Sequence, residues 1–169
     1  SAGGNLSLAL LLYLRDHGLP LPAGGFLLSP AMDLNCETDA WQRNTPYDYL
    51  RFPSRKDPYH AARLYTDPKA RNWDEVQHIV NGPYVSPIKA ESLQGLPHLL
   101  IQYGQCELLR DDIYNFSQRI INEVGPEKLQ SEEYDDMIHV FHSFGSLKQT
   151  KDAYASFGKW ASKLFGEGA

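Results

Sequence analysis

Ser1-Ala2-Gly3-Gly4-Asn5-Leu6-Ser7-Leu8-Ala9-Leu10-Leu11-Leu12-Tyr13-Leu14-Arg15-Asp16-His17-Gly18 decides how the chain must be built. The spacing predicts a helix over 3–17, with Gly18 suited to the left-handed position just past its last turn. Leu6, Leu8, Ala9, Leu10, Leu11, Leu12 and Leu14 leave this helix no clean polar face. A helix that is apolar nearly all round needs protein on every side. Residues 24–29 read as a short buried strand ended by Pro30, and residues 98–103 as a second, bounded by Pro97 and Gly104. Ile113, Phe116, Ile120, Ile121 and Val124 recur at helical spacing until Gly125-Pro126 stops them. Residues 128–135 alternate as a more exposed strand. A last helix, 148–164, sets Tyr154, Phe157, Trp160, Ala161 and Leu164 on one stripe.

Strands alternating with helices imply an α/β fold with a mostly parallel sheet flanked by helices. Three strands cannot bury both faces of such a sheet, and parallel sheets need both faces buried. The expectation is the C-terminal half of a larger α/β domain, incomplete without an N-terminal chain that supplies the remaining strands and covers the first helix.

Composition narrows the function classes. The chain has 169 residues, 42% hydrophobic and 22% charged, as in globular domains. Its 16 basic and 21 acidic residues leave a net charge of −5, so no basic footprint points to nucleic acid or to an anionic membrane. The longest apolar run, Leu8–Leu12, is far too short to cross a bilayer. Two cysteines, Cys36 and Cys106, give neither a disulfide scaffold nor a zinc-binding spacing, and no metal or organic cofactor is implied. As thiols they lean toward a cytoplasmic setting, while the compartment itself stays open.

Residues 35–86 form an irregular insertion between the first two strands. Thr45-Pro46 and Asp57-Pro58 each read as an N-cap followed by Pro at the first helical position, so two short helices are expected to start there. The insertion holds Trp41, Tyr47, Tyr49, Phe52, Tyr59, Tyr65, Trp73 and Tyr84. Two readings fit this concentration: a satellite core under a long excursion, or the wall or cap of an apolar substrate pocket.

The chemistry is carried by four separated segments. Ser1-Ala2-Gly3-Gly4-Asn5-Leu6 reads as the second part of a nucleophile elbow, where small neighbours let a strand and a helix approach around a strained Ser. The following helix would aim its N–H groups at developing negative charge, with the Ala2 N–H as the first oxyanion donor. Leu28-Ser29-Pro30-Ala31-Met32-Asp33-Leu34 follows the first strand. Gly104-Gln105-Cys106-Glu107-Leu108-Leu109-Arg110-Asp111-Asp112 follows the second. Met137-Ile138-His139-Val140-Phe141 follows the third.

Together, in this order, the segments resemble the hormone-sensitive-lipase-like esterase and lipase branch of the α/β-hydrolase superfamily. The first resembles its Gly-Asp-Ser-Ala-Gly-Gly-Asn-Leu elbow, and the second its Ser-Pro-x-x-Asp-Leu strand end. The third resembles its acid loop, usually Asp-Pro-Leu-x-Asp-[Asp/Glu], and the fourth its Gly-Met-x-His-x-Phe loop. The resemblance spans nearly the whole chain. It implies a Ser–acid–His triad in that chain order, here Ser1, Glu107 and His139, and cleavage of small carboxylic esters through an acyl-enzyme. Glu107 stands where most of the branch has Asp, Leu108 where Pro is common, and Asp136 where Gly is usual.

Other acids and histidines compete for these roles. Asp111 and Asp112 open the Ile113–Val124 helix, where capping and dipole compensation explain them. Asp33, at a strand end, is expected to brace neighbouring loops. Glu132, Glu133, Asp135 and Asp136 read as a solvated acidic run. His17, His60, His78, His98 and His142 read as structural. The branch's His-Gly-Gly-Gly-type oxyanion loop has no counterpart here, so the implied partner is an N-terminal fragment of the same protein. A homo-oligomer stays open, and the substrate-binding residues are not identified.

A chain that begins at its nucleophile also suggests a nick at Ser1, by autoproteolysis or ordinary proteolysis. A free Ser1 amine, with a reference pKa of about 7.7–8.0, would then oppose the imidazolium of His139 at neutral pH. Three further readings compete: an acyltransferase on the same fold, a non-catalytic ligand-binding member of the branch, and an N-terminal-nucleophile hydrolase that uses that amine as base.

Overall fold

Leu99, Leu100, Ile101, Gln102 and Tyr103 are all buried, and the architecture is arranged around the strand that carries them. The computed structural model describes residues 1–51 and 60–166. In chain order these form α1 (Ala2–Asp16), β1 (Gly24–Leu28), α2 (Ala40–Arg43), α3 (Ala61–Thr66), α4 (Gln77–Val80), β2 (His98–Gly104), α5 (Arg110–Glu123), β3 (Leu129–Tyr134) and α6 (Lys148–Phe165). The strands make a parallel sheet in the order β1-β2-β3. Its register sets Phe26 beside Leu100 and Ile101 beside Ser131.

Alternation along the strands builds three layers. Leu27, Leu99 and Ile101 share one core with Leu8, Leu11 and Leu12 of α1 and with Ile113, Phe116 and Ile120 of α5. On the opposite face Phe26 stacks on Phe157 of α6 with ring centroids 4.3 Å apart, and Gln102 Nε2 donates to the Ala153 carbonyl at 2.8 Å. The α/β class, the order of elements along the chain and the long helices agree with the sequence reading, the helices to within three residues at each end. Gly18 adopts φ +63° just past α1, as its position demanded. Leu6, Leu10 and Tyr13 of α1 are exposed, so its outer apolar face has no cover among the described residues. No described helix is long and apolar enough to cross a membrane.

The insertion differs from expectation in detail. Thr45-Pro46 does not start a helix. It lies in the turn that closes α2, where the Thr45 hydroxyl donates back to the Trp41 carbonyl at 2.7 Å instead of capping a new helix. Asp57-Pro58 falls outside the described residues. Helix α3 begins after His60, whose ring Nδ1 accepts from the Ala62 N–H at 3.1 Å. A satellite core of Ala62, Ala70, Trp73, Val76 and Val80 does form.

The acidic run is also tied down more firmly than a solvated strand end. Glu132 accepts from Gln102, Gln130, Tyr134 and Ser156, and Glu133 pairs with Arg110 at 2.9 Å. Only Asp135 and Asp136 of that run are exposed. Asp111 and Asp112 do not cap α5, because Leu109 takes the cap position. Asp111 accepts from the Ala40 N–H and Arg43, and Asp112 from Trp41 Nε1 at 3.0 Å, so they moor α2 to α5.

Candidate active site

Three loops leave the same, C-terminal edge of the parallel sheet, where open α/β sheets collect functional groups. Ser1 sits at the start of α1, beside the loop after β1. Its backbone nitrogen donates to the Leu28 carbonyl at 2.6 Å, and its carbonyl accepts from Asn5 and Ala31 N–H groups. The crossing is tight because Gly4 has no side chain: a Cβ there would lie 2.6 Å from the Pro30 Cβ. Asn5 is buried and locks the helix by donating to the carbonyls of Ala31 (2.7 Å) and Val85 (2.9 Å). No side chain caps the N-terminus of α1, so the first-turn N–H groups, beginning with Ala2, are not taken up by a cap.

Glu107 follows β2 and is fully buried. Its Oε2 lies 3.0 Å from Nδ1 of His139, and its Oε1 accepts from the Gly104 N–H at 3.3 Å. Burial pushes the Glu107 carboxyl up, while His139 and the Ser29 hydroxyl pull it back. His139, 2% exposed, makes no hydrogen bond through Nε2 among the described residues. Its loop closes on the acid loop through Cys106 N–H to the Met137 carbonyl (2.9 Å) and Gln105 N–H to the Tyr134 carbonyl (2.9 Å). This approach again requires glycine. A Cβ on Gly104 would stand 2.2 Å from the Met137 carbonyl oxygen.

Two residues hold left-handed backbone at this seam. Ser29 has φ +42° and Val140, next to His139, has φ +49°. A β-branched residue in that region is a marked outlier, and such strain gathers at functional sites. The Ser29 hydroxyl accepts from the Val140 N–H at 3.1 Å and so ties the two strained points together. Asp136 shows φ +60°, which gives a reason for the branch's usual glycine at that position.

The structure thus brings Glu107 and His139 into contact and sets Ser1 at the start of α1, beside the loop after β1. His142 is buried between Phe141 and Tyr154, and burial lowers its ring to about 4. Asp33 braces loops, accepting from Asn35 and pairing with Lys89 at 2.9 Å. His17 bonds the Tyr13 carbonyl at the end of α1.

A cavity of about 420 Å³ opens beside Ser1, walled by Ala2, Leu6, Leu34, Trp41, Leu50, Tyr65 and Leu109, with Asp33, Arg51 and His60 among the polar lining. Of the insertion's aromatics, Trp41 and Tyr65 face this cavity and Trp73 belongs to the satellite core. Sequence reasoning did not find Asn44, Asp48 or the Ser29 hydroxyl, all of which bond the acid or histidine loops. The partners lie 60 to 111 residues away, and no local pattern marks them.

A family model for the α/β-hydrolase fold matches residues 1–143. The chain belongs to the α/β-hydrolase fold family. It is 34% identical over 173 residues to an acetyl-hydrolase of Streptomyces hygroscopicus, covering 99% of this chain and 52% of that protein. It is 30% identical to an esterase of Acinetobacter venetianus, covering 97% and 50%. Among solved structures, EstE5 soaked with p-nitrophenyl butyrate superposes with a TM-score of 0.78 at 33% identity, covering 96% of this chain and 50% of that one. An esterase of the bacterial hormone-sensitive lipase family gives 0.72 at 32% identity, covering 98% and 52%. These relatives support a place for the chain in the hormone-sensitive-lipase-like branch. The chain spans about half the length of the relatives it matches.

Proposed function

We propose that this chain carries the nucleophile, acid and base of a serine carboxylesterase. The observation that carries the reading is the buried Glu107–His139 bond at 3.0 Å, set at the sheet edge where Ser1 opens an uncapped helix. In this reading His139 Nε2 takes the proton of the Ser1 hydroxyl as Ser1 Oγ attacks the ester carbonyl. Glu107 keeps the proton on Nδ1, so that Nε2 presents its lone pair, and steadies the imidazolium that follows. The same imidazolium returns its proton to the departing alcohol. Water then attacks the acyl-enzyme, with His139 again as base. The Ala2 N–H at the positive end of α1 meets the tetrahedral oxyanion.

The remaining oxyanion donors belong to an N-terminal part of the same protein, because no His-Gly-Gly-Gly-type loop occurs in these 169 residues. Residues 1–169 act as the C-terminal part of one catalytic domain. The insertion, 35–86, supplies Trp41, Leu50 and Tyr65 to an acyl or alcohol pocket of about 420 Å³. The names of the relatives, an acetyl-hydrolase and a structure soaked with a butyrate ester, favour short acyl chains.

The test is reaction of the full-length protein with a fluorophosphonate and turnover of p-nitrophenyl acetate and butyrate. The reading requires labelling at Ser1 and loss of both activities in Ser1→Ala and His139→Ala. Labelling elsewhere, or full turnover by His139→Ala, defeats it; the latter would point to the amine of an N-terminal nucleophile. Transfer of the acyl group to an added alcohol in preference to water would identify an acyltransferase.

A further inference from the structure

Asp48 lies in the excursion between β1 and β2, yet its carboxylate reaches both loops of the acid–base pair. One oxygen, Oδ2, accepts from the Leu108 N–H at 2.8 Å, one residue past Glu107. The other, Oδ1, accepts from the His139 N–H at 3.4 Å, with a longer contact from the Leu50 N–H at 3.5 Å. The side chain is 8% exposed, and its partners are backbone N–H groups. Asn44, one turn earlier, adds a second grip: its Nδ2 donates to the carbonyls of Gln105 (3.1 Å) and Glu107 (2.9 Å). The backbone bond from Asp48 N–H to the Asn44 carbonyl, 3.0 Å, sets the two residues in one turn.

The chemistry of the clamp calls for a carboxylate. Two loops each offer one N–H donor, and an ionised carboxylate supplies two acceptor oxygens and no donor. An amide in its place offers one acceptor and turns an NH₂ toward the second N–H. The clamp also carries charge: Asp48 pushes the Glu107 carboxyl and the Tyr49 phenol upward, so its field reaches the pair it holds.

We propose that Asp48 is a positioning residue that sets the reach between Glu107 and His139, one carboxylate oxygen holding the acid loop and the other the histidine loop. The inference rests on the reading of Ser1, His139 and Glu107 as the reacting set. A tie that served only to anchor the excursion would alter folding or the pocket, not the acid–base contact.

The experiment compares Asp48→Asn and Asp48→Glu with wild type in the full-length protein, using p-nitrophenyl butyrate. Asp48→Asn is expected to lower kcat about 10- to 100-fold, as displacement of catalytic groups by about 1 Å does, with KM within twofold. The low-field proton resonance of His139 Nδ1–H should shift or broaden. Asp48→Glu restores both acceptors on a longer arm and is expected to fall between the two. If Asp48→Asn does not fold, Asp48→Glu carries the test, with kcat down at least threefold at unchanged KM. Wild-type kcat in the folded variant, or lost kcat with an unmoved resonance, overturns the role of Asp48. Undiminished hydrolysis by Ser1→Ala overturns the triad reading itself, and the clamp with it.

Discussion

Replacing Gly104 with Ala isolates the closeness of the acid and histidine loops. The added Cβ would stand 2.2 Å from the Met137 oxygen, 2.5 Å from its carbonyl carbon and 3.0 Å from the Ile138 oxygen. Backbone cannot yield as a flexible side-chain tip does. To reach even 3.0 Å the Met137–Ile138 segment must retreat by about 0.8 Å, and His139 is the next residue along it. Two stability effects oppose each other. Alanine restricts the unfolded chain and contributes about 0.4–1 kcal/mol in favour of folding. Overpacking against fixed backbone costs about 1–3 kcal/mol, so the loss wins. The larger consequence is catalytic, because a displacement near 1 Å at the reacting groups costs about 100-fold in rate. The assay is kcat on p-nitrophenyl butyrate beside urea unfolding of the full-length protein. Gly104→Ala should lose about 1.3 kcal/mol, the difference between the mid-points of the two ranges above, and most of its turnover. A variant stabilised by about 0.5 kcal/mol, as the unfolded-state effect alone would give, with kcat within threefold of wild type, would refute the reasoning.

Glu107→Gln keeps the shape but can offer its amide N–H to Nδ1 and favour the wrong tautomer of His139; kcat should fall about 10,000-fold, measured by steady-state ester hydrolysis. His142, held near 4 by burial, accepts a proton less readily folded than unfolded. Its contribution is therefore complete above pH 6.5 and is lost as pH falls toward 4, up to about 3 kcal/mol. Urea unfolding at stepped pH should show that slope, and His142→Phe should flatten it. Asp112, raised to about 7 mainly by burial, has the opposite sign: its folded form favours the proton, so stability falls as pH climbs from 4 through 7. Asp112→Asn keeps an acceptor for Trp41 Nε1 and should be more stable than wild type at pH 8 in the same assay, and no more stable at pH 4.

What could be read in advance follows the range of the interactions. Helix α1, strands β1 and β2 and the turn at Gly18 were legible because hydrophobic period and glycine conformation act within a few residues. Glu107 and His139 could be paired in the sequence because the resemblance supplied the chain order. That their contact is buried at 3.0 Å is a tertiary fact. Thr45-Pro46 misled because a Thr hydroxyl can cap a new helix or bond back into the previous one, and Trp41 lies close enough to take it. Glu132 looked solvated among three other acids, yet it draws four donors under α6. Asp48 carried no signal, since its meaning depends on N–H groups far along the chain.

The strained Val140, next to the base, bears on how the protein acquires its activity. Its left-handed backbone is held by Ser29, 111 residues earlier, while Asp48 reaches 60 and 91 residues to the acid and histidine loops. Closing such long loops adds little to the equilibrium cost, which grows only logarithmically with length. Contacts of this separation are nevertheless slow to form. Helices α1, α5 and α6 can gather from local contacts well before the seam between Ser29, Asp48 and the His139 loop is joined. Refolding followed by ellipticity should therefore run ahead of refolding followed by ester turnover, with the interval between them timing the arrival of the base.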